Sequence, residues 1–411
     1  MKLLPASLSL LVILFVTFLN TATAQYKNDN VAFKTVYIEE FCKQVRADKN
    51  AILLDVRSQG EYDDSSSSVG LNIGRIKNTK HIDIQQLPTH WRELAQYKDQ
   101  PVYVMCSHSQ RSRRASKMLS DSGFTNVINV NGGLTTFNLL SLQNQCKDFY
   151  ETQNEYKLIS PLILCNFLSY NKGMFVLDVR KDSAYKGISS DERENVYGKF
   201  TLSVNIPSDQ ISQSYSKIPK DVPILVVDEF GNNAIAVAKQ LIQNGYTKVN
   251  VLFNGLDALV TSDKGSGCIN LWWQDNIQYQ VVTPIEFDKL AKSEPALQIV
   301  DVRIPEEFNN QSKTSWRNVG NIKGAVNIPS SELENKWTSL DKNKPVLVYH
   351  FSGSDAYTAA KTLANHGFSQ VYALAPGLFS IRWQAANLKG KEHLKDWVIN
   401  VSSLAYPSFE E

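Results

Sequence analysis

Three segments of the chain repeat at a constant spacing, and no other feature limits the possible folds as strongly. They read Ile52-Leu53-Leu54-Asp55-Val56-Arg57, Phe175-Val176-Leu177-Asp178-Val179-Arg180 and Gln298-Ile299-Val300-Asp301-Val302-Arg303, with the Asp residues 123 positions apart in both steps. A short apolar run ending in Asp-x-Arg suits a buried parallel strand whose polar C-terminal end meets a loop. Some fifty residues later each repeat has a second strand-like run, Pro101–Met105, Pro223–Val227 and Pro345–Tyr349, followed by a helix-like stretch that stops at Gly123, Gly245 or Gly367. A further strand then runs into Gly132-Gly133, Asn254-Gly255 or Pro376-Gly377. Strand, helix and strand in succession imply parallel pairing with right-handed crossovers. The fold class predicted is α/β, as three tandem domains, each a small parallel sheet flanked by helices. A chain of 411 residues accommodates them at ~100–200 residues per domain. The expected boundaries are 25–150, 151–275 and 276–411, with linkers near 147–157 and 270–280.

The first residues stand apart. Lys2 precedes an apolar run from Leu8 to Leu19, and Thr21-Ala22-Thr23-Ala24 has the small-x-small form of a signal-peptidase site. Residues 1–24 read as a signal peptide cleaved before Gln25, because the run is short for a bilayer span of ~20 residues. A secreted or periplasmic location is therefore expected, with no membrane span after cleavage. Lys and Arg total 43 against 41 Asp and Glu. That balance gives no electrostatic case for nucleic acid or a membrane surface as partner.

Chemistry is expected at the C-terminal end of the second strand, where open α/β sheets place their ligand sites. Only the first repeat has a nucleophile there, in Cys106-Ser107-His108-Ser109-Gln110-Arg111-Ser112-Arg113-Arg114. A loop curling from a strand into a helix N-terminus turns successive backbone N–H groups inward, and this nest, with the helix dipole, favours an anion. A thiolate at its head is stabilised and made nucleophilic. The loop, the D-V-R strand and the glycine-pair strand end resemble the rhodanese family, whose loop has the form C-x-x-G-x-R-S; the resemblance covers the mature chain three times over. It implies sulfur transfer through a Cys106 persulfide, from a small anionic donor such as thiosulfate to a thiol or cyanide acceptor. Ser107, His108, Ser109, Gln110, Arg111 and Ser112 are then the substrate-binding residues, with Asp55 and Arg57 in support. Arginines in the first turn of a helix oppose its dipole, so an incoming anion is one justification for Arg111, Arg113 and Arg114; for the last two a solvated basic face is the other. His108 reads as an exposed loop histidine or a group that tunes the acceptor. Ser109 departs from the family's Gly, which the other two loops keep as Gly231 and Gly353. If that residue needs positive φ, Ser costs ~1–2 kcal/mol of strain.

Cys-dependent phosphatases and arsenate reductases of related shape need C-x5-R, one residue longer than the Cys106–Arg111 spacing. The six histidines show no paired ligand spacing, so no metal and no cofactor is expected. The nucleophile position holds Asp228 in the second loop and His350 in the third, and neither can carry a persulfide. Asp228 could place its own carboxylate in the nest. These two domains are expected to support the first, cover its mouth or bind a protein partner. The alternative reading of the whole chain is a non-catalytic rhodanese-fold binding or scaffold protein.

The repeat arithmetic extends to the other cysteines. Cys42 lies 13 residues before Asp55 and Cys165 lies 13 before Asp178; Cys146 follows Gly133 by 13 and Cys268 follows Gly255 by 13. In the third repeat Asp288 and Gly390 replace both. Cysteines present together and absent together are most simply partners, so disulfides Cys42–Cys146 and Cys165–Cys268 are expected in an oxidising compartment, leaving Cys106 as the free thiol.

Overall fold

The computed structural model describes residues 31–143, 145–262 and 273–401. The expected signal peptide lies outside the described residues. Each repeat forms a five-stranded, wholly parallel sheet of one topology. In the first, the spatial order is Lys34–Tyr37, Val127–Asn131, Val102–Met105, Ile52–Asp55 and Lys80–His81. The second runs Lys157–Ile159, Val249–Leu252, Ile224–Val227, Phe175–Asp178 and Val204–Asn205, and the third runs Gln280–Val282, Val371–Leu374, Val346–Tyr349, Gln298–Asp301 and Val326–Asn327. Register aligns Asp55 with Met105, Asp178 with Val227 and Asp301 with Tyr349. Every Asp-x-Arg end therefore lies beside the head of its repeat's loop.

The central strands are buried on both faces, which explains why they read as unbroken apolar runs rather than alternating ones. Val102 and Val104 pack with Leu54, Ala115 and Leu119, beneath the helix Gln110–Asp121, whereas Tyr103 and Met105 pack on the other side with Phe41, Leu134 and Phe137. Leu54, Val104 and Leu119 are fully buried, each worth ~1.5–3 kcal/mol relative to exposure.

The Asp-x-Arg signature has the same structural task three times. Arg57 Nη2 donates to Asp55 Oδ2 at 2.8 Å and to the Gly74 carbonyl at 3.0 Å, tying the strand end to the following loop. Arg180 ties Asp178 to the Gly198 carbonyl, and Arg303 ties Asp301 to the Gly320 carbonyl. Both partners are fully buried in every copy, so removing one alone costs ~3–5 kcal/mol.

The stretch 147–157, expected as a linker, is divided between the repeats: its two-residue strand closes the first, and Lys157 opens the edge strand of the second. Tyr150–Glu151 pairs antiparallel with Arg75–Ile76, and Trp273–Gln274 and Val398–Ile399 repeat the pairing with Lys199–Phe200 and Asn321–Ile322. Each repeat also touches both others. Phe253 of the second enters the core of the first. The second and third share one hydrophobic cluster and the Lys361–Glu192 ion pair at 2.6 Å. Asn131 of the first donates to the Ala386 carbonyl of the third at 2.6 Å, and Tyr37 donates to Glu392 at 3.0 Å.

The disulfide Cys42–Cys146 is present, with Cα atoms 6.0 Å apart, joining the helix Ile38–Ala47 to the end of the first repeat. The expected Cys165–Cys268 bond depends on Cys268, which lies outside the described residues.

Candidate active site

Cys106 sits one residue beyond the strand Val102–Met105 and is a free cysteine, 1% exposed. The loop is closed from behind by the helix Gly133–Leu139, whose first amides, Leu134 N and Thr135 N, donate to the carbonyls of Cys106 and Ser107 at 3.0 and 2.9 Å. Those two carbonyls are thereby held toward the helix behind the loop. Homologous bonds occur at Asp228 with Glu229 and at His350 with Phe351.

Ser109 has φ +75°, and Gly231 and Gly353 are also positive at +88° and +101°, so the strain expected of a serine there is present. The serine also supplies what glycine cannot. Its Oγ accepts from the Gly132 amide, pinning the loop to the strand end behind it. Ser112 is fully buried beneath the nucleophile: Cys106 Sγ donates to its Oγ at 3.6 Å and that Oγ donates to Asn129 Oδ1 at 2.7 Å. Ser109 and Ser112 are thus positioning residues. Gln110 begins the helix and is half-buried.

Arg111 corrects the expectation built on the helix dipole. Its Nη1 and Nη2 meet Glu61 Oε2 and Oε1 at 2.5 and 2.7 Å, and Nη2 donates to Ser107 Oγ at 2.8 Å. The charge that justifies the arginine is first an internal carboxylate, not an incoming anion. Glu61 is buried and comes from the single-turn helix Gln59–Tyr62, fixed by a reciprocal capping box with Ser58. Burial alone raises a carboxyl pKa, but the hydrogen bonds and charge of Arg111, with help from Ser58, hold Glu61 below its ordinary value. Burial likewise disfavours the Arg111 cation, and the hydrogen bonds and charge of Glu61, with the electrostatic pull of nearby Cys106 and Asp55, more than reverse this. Arg111 therefore stays charged next to the nucleophile, with about a quarter of its side chain reachable from solvent. Sequence reasoning missed Glu61, although Ser58-x-x-Glu61 is a capping-box pattern. Arg113 lies over the Phe33 ring at 5.9 Å.

His108 is exposed; its Nδ1 lies 2.9 Å from Ser107 Oγ and its Nε2 3.1 Å from Thr135 Oγ1. Asp55 and Arg57, expected to support the site, form the buried ion pair described above, at the strand end beside the loop.

The other two loops differ in content. Asp228 is buried and turns its carboxylate into its own nest, accepting from Gly231 N at 2.5 Å and Asn233 N at 2.8 Å. Burial pushes that carboxyl up despite these amides. In the third loop His350 Nε2 lies 3.6 Å from Asp355 Oδ2, and Glu307, at the place of Glu61, pairs with Arg317 at 3.0 Å. Burial lowers the His350 pKa, against the pull of Asp355 and Glu307. Among the described residues no group of three or more His, Cys, Asp or Glu could hold a metal ion.

The model of the rhodanese-like domain matches residues 39–139, 168–262 and 283–384. The chain belongs to the rhodanese family. Its three rhodanese-like repeats coincide with the three parallel sheets. Among curated relatives, the uncharacterized protein YqhL of Bacillus subtilis is 32% identical over 124 residues, 30% of this chain and 87% of that protein. The thiosulfate sulfurtransferase GlpE of Shewanella oneidensis is 33% identical over 92 residues, 22% of this chain and 80% of the relative. A solved thiosulfate sulfurtransferase from Pseudomonas aeruginosa shares 14% identity, covering 83% of this chain and 66% of the other at a TM-score of 0.22. No described helix of this rhodanese-like chain is long and apolar enough to cross a membrane.

Proposed function

We propose that the chain is an exported sulfurtransferase in which the first repeat alone performs chemistry. The observation that carries the reading is Cys106, a free thiol at the head of the strand-to-helix loop with the Arg111 cation beside it. The Cys106 thiolate attacks the outer sulfur of a thiosulfate-like donor; the donor's S–S bond breaks and sulfite departs with the electron pair. A thiol or cyanide acceptor then takes that sulfur and returns the thiolate. Inward amides and Arg111 stabilise the anionic persulfide and both departing groups without reorganising, which is where fixed dipoles are most effective. Export is supported by the N-terminal Lys2, apolar run and Thr21–Ala24 pattern and by the disulfide between Cys42 and Cys146.

The test is mass spectrometry of the purified protein after thiosulfate treatment. One added sulfur on the Cys106 peptide, absent in Cys106→Ser and reduced in Arg111→Ala, is the expected result. Near-complete burial of Cys106 favours the second reading, a binding or scaffold protein; an unchanged mass, or full turnover by Cys106→Ser, would sink the enzyme and leave that reading.

A further inference from the structure

The hydrogen bonds around Ser107 connect three groups that the persulfide cycle described above does not use together. Arg111 Nη2 can only donate, so Ser107 Oγ accepts from it at 2.8 Å. The hydroxyl proton of Ser107 is then directed to its other neighbour, Nδ1 of His108 at 2.9 Å. The ring consequently carries its own proton on Nε2, toward Thr135 Oγ1 at 3.1 Å. Thr135 is itself fixed, because its backbone amide is one of the two that hold the loop carbonyls. His108 is exposed whereas Ser107 is buried beside Cys106, so the pair runs from the nucleophile's neighbour to solvent. Arg111 stands beside the pair and, through Arg111, so does Glu61.

We propose that Ser107 and His108 form a proton relay that deprotonates a thiol acceptor, so that the second half-reaction is built for thiols rather than for acceptors that arrive ionised. This rests on the sulfurtransferase reading. An acceptor thiol gives its proton to Ser107 Oγ as the Ser107 proton passes to His108 Nδ1. The outer sulfur of the Cys106 persulfide, anionic once sulfite has left, takes one proton from solvent, and the acceptor thiolate bonds to that protonated sulfur. The bond between that sulfur and Cys106 breaks, its electron pair stays on Cys106 Sγ, and the acceptor leaves as a hydropersulfide. His108 then releases the proton to solvent. No oxidant or reductant is needed, since one sulfane sulfur changes carrier. Arg111 assists twice, by polarising Ser107 and by stabilising the returning thiolate. Thr135 is a positioning residue, since it holds the imidazole in the tautomer that leaves Nδ1 basic.

The experiment separates the two half-reactions. The Cys106 persulfide is formed chemically with inorganic polysulfide, so that loading does not depend on thiosulfate being a donor. Its discharge is followed by mass spectrometry with a small alkyl thiol and, separately, with sulfite, already ionised at pH 8. A positioned general base contributes ~10²–10⁴-fold, so discharge to the thiol should slow by about 10²-fold in His108→Gln while discharge to sulfite changes at most a few-fold. The thiol rate should rise more steeply with pH in the variant than in the wild-type chain, because without the relay only thiol already ionised in solution reacts. Thr135→Val, which leaves Ser107, His108 and Cys106 in place, should slow the thiol reaction by a smaller factor with sulfite again little affected. Equal thiol rates in wild type and His108→Gln, or equal losses with thiol and sulfite, would overturn the relay. Failure of thiosulfate to load Cys106 would overturn the donor assignment instead.

Discussion

Replacing Gly133 by Ala tests how the loop at Cys106 is held. Gly133 has φ +61°, and a Cβ there would lie 2.4 Å from the carbonyl oxygens of both Cys106 and Ser107. These are backbone atoms of a buried loop and cannot swing aside. The left-handed conformation costs alanine ~1–2 kcal/mol, forcing the contact open costs ~1–3 kcal/mol, and the Leu134 and Thr135 amide bonds lost as the helix backs away are worth ~0.5–1.5 kcal/mol each. Together the substitution should cost roughly 3–8 kcal/mol, a large part of a domain's stability. Gly173 is the matched control, since its φ is +86° but nothing lies within 4 Å of the Cβ position. Gly173→Ala should therefore cost only the conformational part, ~1–2 kcal/mol. Because three packed repeats need not unfold as one, the assay is native-state hydrogen exchange read peptide by peptide, using the strands Val102–Met105 and Phe175–Asp178 as reporters. Comparable losses of protection in the two variants would refute the reasoning.

Other consequences are measurable with single changes. Burial, with repulsion from Asp228, pushes the Glu229 carboxyl up to about 7; its contribution to stability is full below the ordinary glutamate range and lost as pH rises through about 7. Glu229→Gln should thus raise the unfolding midpoint of the second repeat at pH 8 and leave it nearly unchanged at pH 4, and a gain at both would contradict this. Glu61 has the opposite sign: its pair with Arg111 contributes fully above the usual carboxylate range and is lost as pH falls below it, so Glu61→Gln should shallow the acid limb of the first repeat's stability curve. Cys42→Ala/Cys146→Ala should destabilise the first repeat by up to ~4–5 kcal/mol, since the bond closes a loop of 104 residues; an unchanged denaturation midpoint would count against it. Asp228→Cys should load far less sulfur from thiosulfate than Cys106 does, because no Arg–Glu pair stands beside it; equal loading would show that the nest alone suffices.

The repeat, the sheets and the loop at Cys106 were legible because each is a local pattern: apolar runs, a helix stop at glycine, and a nucleophile at fixed distance from both. The Cys42–Cys146 bond was legible for a different reason, that two copies of the fold keep both cysteines where the third loses both. Glu61 and Arg111 are fifty positions apart, and nothing at either position names the other. The sequence shows that a cation stands in an unfavourable place; only the fold shows which carboxylate answers it. The short strands that close each repeat, such as Tyr150–Glu151 against Arg75–Ile76, were read as linker because two residues carry no periodicity. Ser109 was recognised as strained, yet its hydrogen bond to Gly132, which offsets part of the strain, depends on a strand end 23 residues away.

The carboxylate that Asp228 lays across its own amides bears on stoichiometry. A cradle already occupied by a tethered anion holds no place for a free one, because no soluble ligand at ordinary concentration competes with a group a few bonds away. The loop of the second repeat is thus already filled by its own carboxylate, and the third offers an imidazole flanked by carboxylates where a thiolate would stand. On the proposed mechanism, sulfur carried at Cys106 has no sister thiolate at either of the other two loop heads with which to react, and each chain would deliver one sulfur per cycle.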